Sequence, residues 1–287
     1  MTELVQPARR VIDMPFLRTL ARDPMLLFSI LFLVAAIVGM VFAEWLAPYD
    51  PLRTSLRFRA RLPSAEFLLG TDEQGRDILS RILFGFRLTL LTSIAGLTIG
   101  VVTGSFIGLF AAYFRKIDMP LMRLIDIILS FPSILIGLGV ASATGAGTLG
   151  IILALGISTI GPCARVARSA ALGVVSMEYI SGAKMVGLGD LQILARYVLP
   201  NCISSIIVYA TLRFGQLVLL GASLSFLGLG VSPPTPELGV MVSQGRSVLF
   251  TAPHVAIIPS VAILLLVLSF NVIGDAVRDA LDPRMKV

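Results

Sequence analysis

Residues 127–164 read IILSFPSILIGLGVASATGAGTLGIILALGISTIGPCA, 38 positions without a charged side chain. As one α-helix, at about 1.5 Å per residue, this run would extend about 57 Å, almost twice the roughly 30 Å hydrocarbon core of a bilayer. It must therefore fold back once. The small, glycine-rich stretch Thr144, Gly145, Ala146, Gly147, Thr148 is the expected hairpin. One span then ends near Ala143, and the next covers about residues 149–167.

Working outward, residues 25–43 are uncharged and are followed by Glu44 and Trp45, an aromatic placed as an interfacial anchor. An apolar core of about 19 residues exceeds the roughly 7 to 15 of a cleavable signal, so this stretch reads as the first span. The second is residues 88–114, bracketed by Arg87 and Arg115. The fifth follows Pro200, covers about residues 203–227, and is ended by Gly228, Gly230, Pro233, Pro234 and Pro236. The sixth follows His254 and ends near Ile273. The fold class is thus an all-α membrane protein with six transmembrane helices. Composition agrees: of 287 residues, 56% are hydrophobic and 14% charged, with a mean hydropathy of +0.92, against roughly a quarter charged in soluble domains. A soluble globular domain, a disordered chain and a disulfide framework are excluded, the last because only two cysteines are present. The net charge of +6 does not imply a nucleic-acid partner, because the basic residues lie between apolar runs instead of forming a stripe.

Those basic residues orient the chain. Arg9, Arg10, Arg18 and Arg22 precede the first span; Arg115, Lys116 and Arg123 follow the second; Arg165, Arg168, Lys184 and Arg196 follow the fourth; Arg278, Arg284 and Lys286 close the chain. The positive-inside rule puts all four groups, and both termini, in the cytoplasm. The expected organisation is a cytoplasmic tail (1–24), a first span (25–46), an extracytoplasmic loop with an amphipathic helix (47–87), and a core of five spans (88–287) with a cytoplasmic loop at 176–200. One loop breaks the rule: Arg53, Arg57, Arg59, Arg61, Arg76, Arg81 and Arg87 fall outside.

Within that loop, GTDEQGRDILSRILFGFRLTL (70–90) places Ile78, Leu79, Ile82, Leu83 and Phe86 at helical spacing opposite Asp77 and Arg81, an amphipathic ledge with an i,i+4 ion pair. The cytoplasmic segment 168–200 reads as two short helices. Ser176 caps the first, Gly187 and Gly189 stop it, Asp190 caps the second and Pro200 ends it. Such a helix-turn-helix, presenting Tyr179, Ile180, Met185, Val186 and Leu188, reads as a docking knob for a soluble partner. Pro132 bends the third span, either lining a pathway or serving packing. Arg213 lies about ten residues into the fifth span, where lipid exposure costs about 2.5 to 3.5 kcal/mol. It is expected to face the protein interior or a translocation pathway. Its candidate partners are a substrate carboxylate, Asp126, Gln216, or an acid of another subunit, with a structural pairing favoured. Cys163 and Cys202 read as packing residues, and His254 as interfacial. No GxxxxGK[ST] phosphate loop occurs. No carboxylate is placed mid-span to carry protons, and no base is set beside a nucleophile, so a gradient-driven carrier and an intramembrane hydrolase are the weaker readings.

The segment GAKMVGLGDLQILARYVLPN (182–201) resembles the cytoplasmic loop of binding-protein-dependent ABC importer permeases: EAA, three residues, G, about nine residues, then I or V followed by LP. GTDEQGRDILSR, DIILSFPSIL, SLSFLGLGVSPPTPELG and FNVIGDAVRDALDPR agree with it in order, over roughly residues 14–285. Together they are similar to the C-type permease of dipeptide, oligopeptide, nickel or glutathione importers. The resemblance implies a type I importer permease forming half of a pathway beside a second, homologous permease. It also implies an external binding protein and two ATP-binding subunits that hold ATP and magnesium, this chain carrying no cofactor, metal or catalytic residue of its own. ATPase docking would fall to Glu178, Ser181, Gly182, Ala183, Gly187 and Leu188. The family's glutamate and first alanine are Ser181 and Gly182 here, a frequent histidine is Tyr197, and Glu178 lies one helical turn before Ser181. The resemblance implies a peptide or glutathione as cargo, the alternative being nickel or another metal chelate.

Overall fold

The computed structural model describes residues 23–281, which are helical apart from turns, loops and one isolated bridge between Thr71 and Asp77. Nine helices carry the architecture: α1 (Pro24–Val41), α2 (Ile78–Tyr113), α3 (Arg115–Leu129), α4 (Ser133–Thr144), α5 (Thr148–Val175), α6 (Glu178–Met185), α7 (Asp190–Phe226), α8 (Leu238–Gly245) and α9 (His254–Leu281). Among the described residues α1, α2, α5, α7 and α9 are each long and apolar enough to cross a membrane. The α3–α4 pair adds a sixth crossing when taken as one span. The arginines of the N-terminal tail, with Arg284 and Lys286, lie outside the described residues.

Each spanning helix starts for a local reason. Asp23 accepts hydrogen bonds from the amides of Met25 and Leu26 while Pro24 occupies the first turn, so α1 begins with its free donors satisfied. Its buried face, Leu26, Ser29, Leu33, Ala36 and Gly39, repeats every three or four residues. Asp77 opens α2 by accepting from the amide and hydroxyl of Ser80 at 2.8 and 2.6 Å.

The tightest packing joins α2 to α5. Gly96, Gly100, Gly104 and Gly108 line one stripe of α2 at every fourth residue, and each sits against α5 backbone or a small α5 side chain. A Cβ at Gly96 would lie 2.6 Å from Cβ of Leu155, and one at Gly104 would lie 2.7 Å from Cβ of Cys163. Small residues at this spacing let two helices approach in lipid, where no hydrophobic force drives them together. Cys163 belongs to this seam, its thiol 3.5 Å from the Ser105 hydroxyl, and Cys202 is buried in the cluster at the Tyr113 end of α2.

Three expectations are corrected. The third span does not start at Ile127, and the bend expected at Pro132 is a full break between two helices. Helix α3 begins at Arg115, and α3 and α4 meet at 89°. Pro132 lacks a donor and biases Phe131 away from helical geometry, so the chain leaves the helix there (Pro132 φ −55°, ψ 136°) while Ser130 bonds back to Ile127. The amphipathic ledge is not separate from the second span; residues 78–113 form one helix whose first turns bury their polar side against α8 and the loop before it. Pro200 ends nothing, because a π turn at Leu194–Val198 precedes it and widens the ladder so that the proline continues into α7. Residues 238–245, between the fifth and sixth expected spans, form α8, capped by the buried Glu237. The glycine hairpin stands where expected, with Gly145 at φ 86° and Gly147 at φ 144°.

The seam yields a direct check. Gly104→Val should force α2 from α5 and destabilise the bundle by about 1 to 3 kcal/mol. Gly139→Ala, on α4 with no atom near the added carbon, should leave it unchanged. Thermal unfolding of the two variants in detergent distinguishes them.

Candidate coupling and translocation site

Functional side chains collect at the two ends of the bundle. At one end the return from α5 to α7 is made by α6. Helix α5 runs to Val175, Ser176 closes it instead of capping α6, and Met177 precedes α6 without a side-chain cap. Past Met185 the chain turns through Gly187 at φ 83°: the Leu188 amide bonds the Ala183 carbonyl at 3.2 Å and the Gly187 amide bonds that of Lys184 at 3.0 Å. This is a Schellman stop, which requires a left-handed residue. Asp190 does not cap α7. Gly189 takes that position, and the Asp190 carboxylate accepts the Tyr113 hydroxyl at 2.7 Å.

The expected two-helix knob is therefore one short helix held against the inner ends of α2 and α7. Ile180 and Ala183 are buried among Leu109, Ala112, Ile193 and Leu194, so Ile180 is not presented outward. Lys184 places its ammonium 4.7 Å from the centre of the Tyr113 ring. Tyr113 is thus gripped from α6 by a cation and from the start of α7 by a carboxylate. Of the expected docking residues, Glu178, Ser181 and Gly187 are exposed, Gly182 and Leu188 half-buried, and Ala183 buried. Met185 and Val186 are 84% and 82% exposed, with Met177 and Leu191 also outward. They form an exposed apolar tip beside a charged turn.

At the opposite end, residues 70–81 are fastened to α8 by buried charges. Arg76 Nε donates to Asp72 Oδ2 at 2.6 Å, Arg81 lies 3.6 Å from the same oxygen, and both guanidiniums donate to Gln244 Oε1, at 3.2 and 3.1 Å. The expected Asp77–Arg81 surface pair is not formed. Both residues are buried, Asp77 as the α2 cap and Arg81 in the lock. Beside it Glu237 accepts from the Thr89 hydroxyl at 3.0 Å and from two amides of α8. The sequence reading missed this lock and Glu237. Its signal was a doubled charge pattern, TDEQGRD, recurring to a polar Gln244 more than 160 residues away, which only the fold brings together. His254 starts α9 beneath Gly70, with neither ring nitrogen hydrogen-bonded.

Between the ends, Arg213 donates to Gln216 at 2.5 Å, and Asp126 is engaged elsewhere, by Arg165 at 2.6 Å. One turn beyond Gln216, a stripe of α7 formed by Leu219, Ser223 and Phe226 lines an apolar groove of about 520 Å³ shared with α4, α8 and α9. Pro132 stands apart, at the α3–α4 break.

A bundle of membrane-crossing helices with an exposed apolar helix at one end and a charge-locked loop at the other is the architecture of a multi-span transport subunit. Residues 100–287 match the family described as Binding-protein-dependent transport system inner membrane component, and the chain belongs to it. It is 39% identical over 278 residues to the di/tripeptide transport system permease protein DppC of Pseudomonas aeruginosa (94% of this chain, 92% of that one). It is 40% identical over 273 residues to the glutathione transport system permease protein GsiD of Pectobacterium atrosepticum (94% and 91%). Its fold is similar to a chain of the MetNI methionine ABC transporter in an inward-facing conformation, at a TM-score of 0.59 and 20% identity over 70% of this chain and 96% of that one. An amino acid ABC transporter gives 0.52 at 20% identity, over 67% and 90%. The chain is an inner-membrane permease subunit of an ABC importer.

The lock predicts its own sensitivity. Asp72→Asn leaves two buried guanidiniums without a counter-charge and should cost about 3 to 5 kcal/mol, read as a lower melting temperature. Glu73→Gln, next in sequence but hydrogen-bonded only to the exposed Ser247, should change it little.

Proposed function

We propose that this permease forms half of the pathway for a small peptide or glutathione, beside a second homologous permease, with two cytoplasmic ATPases and an external binding protein. The observation that carries the reading is α6: a short helix with an apolar exposed tip, anchored to α2, α5 and α7 at once. In this reading Glu178, Ser181, Gly182, Gly187 and Leu188 form the ATPase contact, with Met185 and Val186 at its centre, and the buried Ala183 anchors α6 behind it. ATP and magnesium belong to the ATPases, and this chain performs no covalent chemistry. Closure of the ATPases displaces α6. Because Ile180 and Ala183 pack into the bundle and Tyr113 is gripped from two sides, the displacement passes to the long helices as a rigid shift that opens the pathway alternately to each side. The substrates named for the relatives, di- and tripeptides and glutathione, support the cargo class. A nickel or metal-chelate cargo has no comparable support. Arg213, hydrogen-bonded to the neutral amide of Gln216 and without a counter-charge among the described residues, would meet an acid of the second permease or a substrate carboxylate.

Gly187→Leu tests the coupling. Nothing lies within 4 Å of the added carbon, so the change acts on the backbone, where a left-handed residue with a side chain costs about 1 to 2 kcal/mol. In liposomes holding the whole complex, peptide uptake and ATPase stimulation by loaded binding protein should both fall while assembly is retained. Full stimulation in an assembled mutant would refute the docking assignment.

Orientation is tested separately. With Cys163 and Cys202 replaced, an impermeant thiol reagent added to intact cells should label Ser64→Cys and not Ser176→Cys. The reverse pattern would invert the topology.

A further inference from the structure

Helix α3 differs from the spanning helices in its charge. Arg115, Lys116, Asp118, Arg123 and Asp126 fall within its first twelve residues, and none of its last three is charged. A segment so charged is driven out of hydrocarbon toward the membrane boundary. It meets the uncharged α4 at 89°, and it follows directly from Tyr113, at the α6 end of the bundle. Its two acids are satisfied from α5. Asp118 accepts two hydrogen bonds of 2.6 Å from Arg168, and Asp126 accepts one of 2.6 Å from Arg165. Arg115, Lys116 and Arg123 are exposed and form no ion pair among the described residues.

Helical periodicity, about 100° per residue, sorts these side chains into three faces. Asp118, Ile125 and Leu129 share the face that meets α5: Ile125 is buried, Asp118 reaches Arg168, and Leu129 lies against Gly161. Ile117, Leu124 and Ile127 form a second, apolar face and are 38%, 55% and 61% exposed. Lys116 and Arg123, seven residues apart, lie on a third, directly beside Ile127. A helix seated on protein along one side, apolar along the next and cationic along the third matches the boundary of a bilayer, where the apolar stripe enters the acyl chains and the long basic side chains reach back to the headgroups. The core of a protein interface, by contrast, is depleted of lysine.

We infer that α3 is a membrane-surface anchor: Arg115, Lys116 and Arg123 bind the phosphates of anionic phospholipids while Ile117, Leu124 and Ile127 sit among the acyl chains. The inference does not depend on cargo or ATPases. It needs only that the α6 end of the bundle meets a bilayer surface, as the length of the spanning helices α2 and α5 provides. Because the acids of α3 hold Arg165 and Arg168, the headgroups and the turn that carries α6 act on the same helix, α5.

The test places the photoreactive residue p-benzoylphenylalanine at Ile127 in the complete complex, in nanodiscs of mixed phosphatidylcholine and phosphatidylglycerol. Adducts formed on illumination are identified by mass spectrometry. Lipid adducts should dominate, with phosphatidylglycerol over-represented relative to the disc composition by about five-fold, the preference that one cation near an anionic surface confers. Arg115→Gln/Lys116→Gln/Arg123→Gln should return the ratio to the disc composition, whereas Arg115→Lys/Arg123→Lys should keep it. Raising salt from about 50 to about 300 mM should lower the wild-type ratio as screening grows. A wild-type ratio equal to the disc composition overturns the inference, as does a ratio that the glutamine variant leaves unchanged. Adducts to the second permease in place of lipid overturn it and assign the face to a subunit interface, and a lack of any lipid adduct overturns it as well. Should the glutamine variant fail to assemble, a wild-type ratio that salt does not lower overturns it equally.

Discussion

The close approach of α2 and α5 organises the molecule. In lipid, two helices gain nothing from hiding apolar surface against each other, so they associate where backbones can touch and dispersion contacts multiply. Gly96, Gly100, Gly104 and Gly108 provide that contact along about 18 Å of α2, at 1.5 Å per residue. The two ends of the seam are the two functional poles. Helix α2 starts in the charge lock of Asp72, Arg76, Arg81 and Gln244 and finishes at Tyr113, and α5 runs directly into the turn that carries α6. A seam without side-chain play between the helices gives the poles a common frame.

Charge is handled differently at the poles. At the α8 end, two arginines share one carboxylate and one amide in a fully buried setting, where removing a partner is costly but the intact network adds little net stability. Its contribution is geometric, fixing residues 70–81 to α8. At the α6 end the contacts are nearer the surface: Asp118 holds Arg168 in a half-buried two-pronged pair at 2.6 Å, whereas Asp126 with Arg165 and Lys184 over Tyr113 are exposed. Exposed pairs of this kind contribute at most about 1 kcal/mol each and exchange readily. One end is built to hold its shape and the other to be displaced.

Much of this was legible in the sequence, because spans are dictated by length and hydropathy. The hairpin at Gly145 and Gly147, the stop at Gly187 and the apolar tip at Met185 and Val186 all follow from residue chemistry within a few positions. Boundaries at prolines did not follow. Pro132 breaks the chain, Pro200 is absorbed by a π turn, and Pro162 and Pro259 lie inside intact helices. The outcome depends on whether neighbouring groups re-satisfy the freed carbonyl, which no local pattern records. Glu237 and Gln244 were invisible for a related reason: their partners, Thr89, Arg76 and Arg81, are adjacent only in space. Ile180 was misassigned because a four-turn amphipathic pattern is needed to tell faces apart, and α6 has only eight residues.

The π turn at 194–198 has a consequence for how such permeases can be recombined. One residue beyond the α-helical count turns everything after it by about 100° about the helix axis. Residues 190–193, which meet Tyr113 and α6, and residues 213–226, which carry Arg213 and the groove stripe, are therefore out of phase by design of the backbone. A chimaera that grafts the α6 turn of one permease onto the fifth span of another must inherit this wide turn with the graft. A junction that drops the extra residue would keep every helix intact and yet point the stripe of the recipient helix at the wrong neighbour.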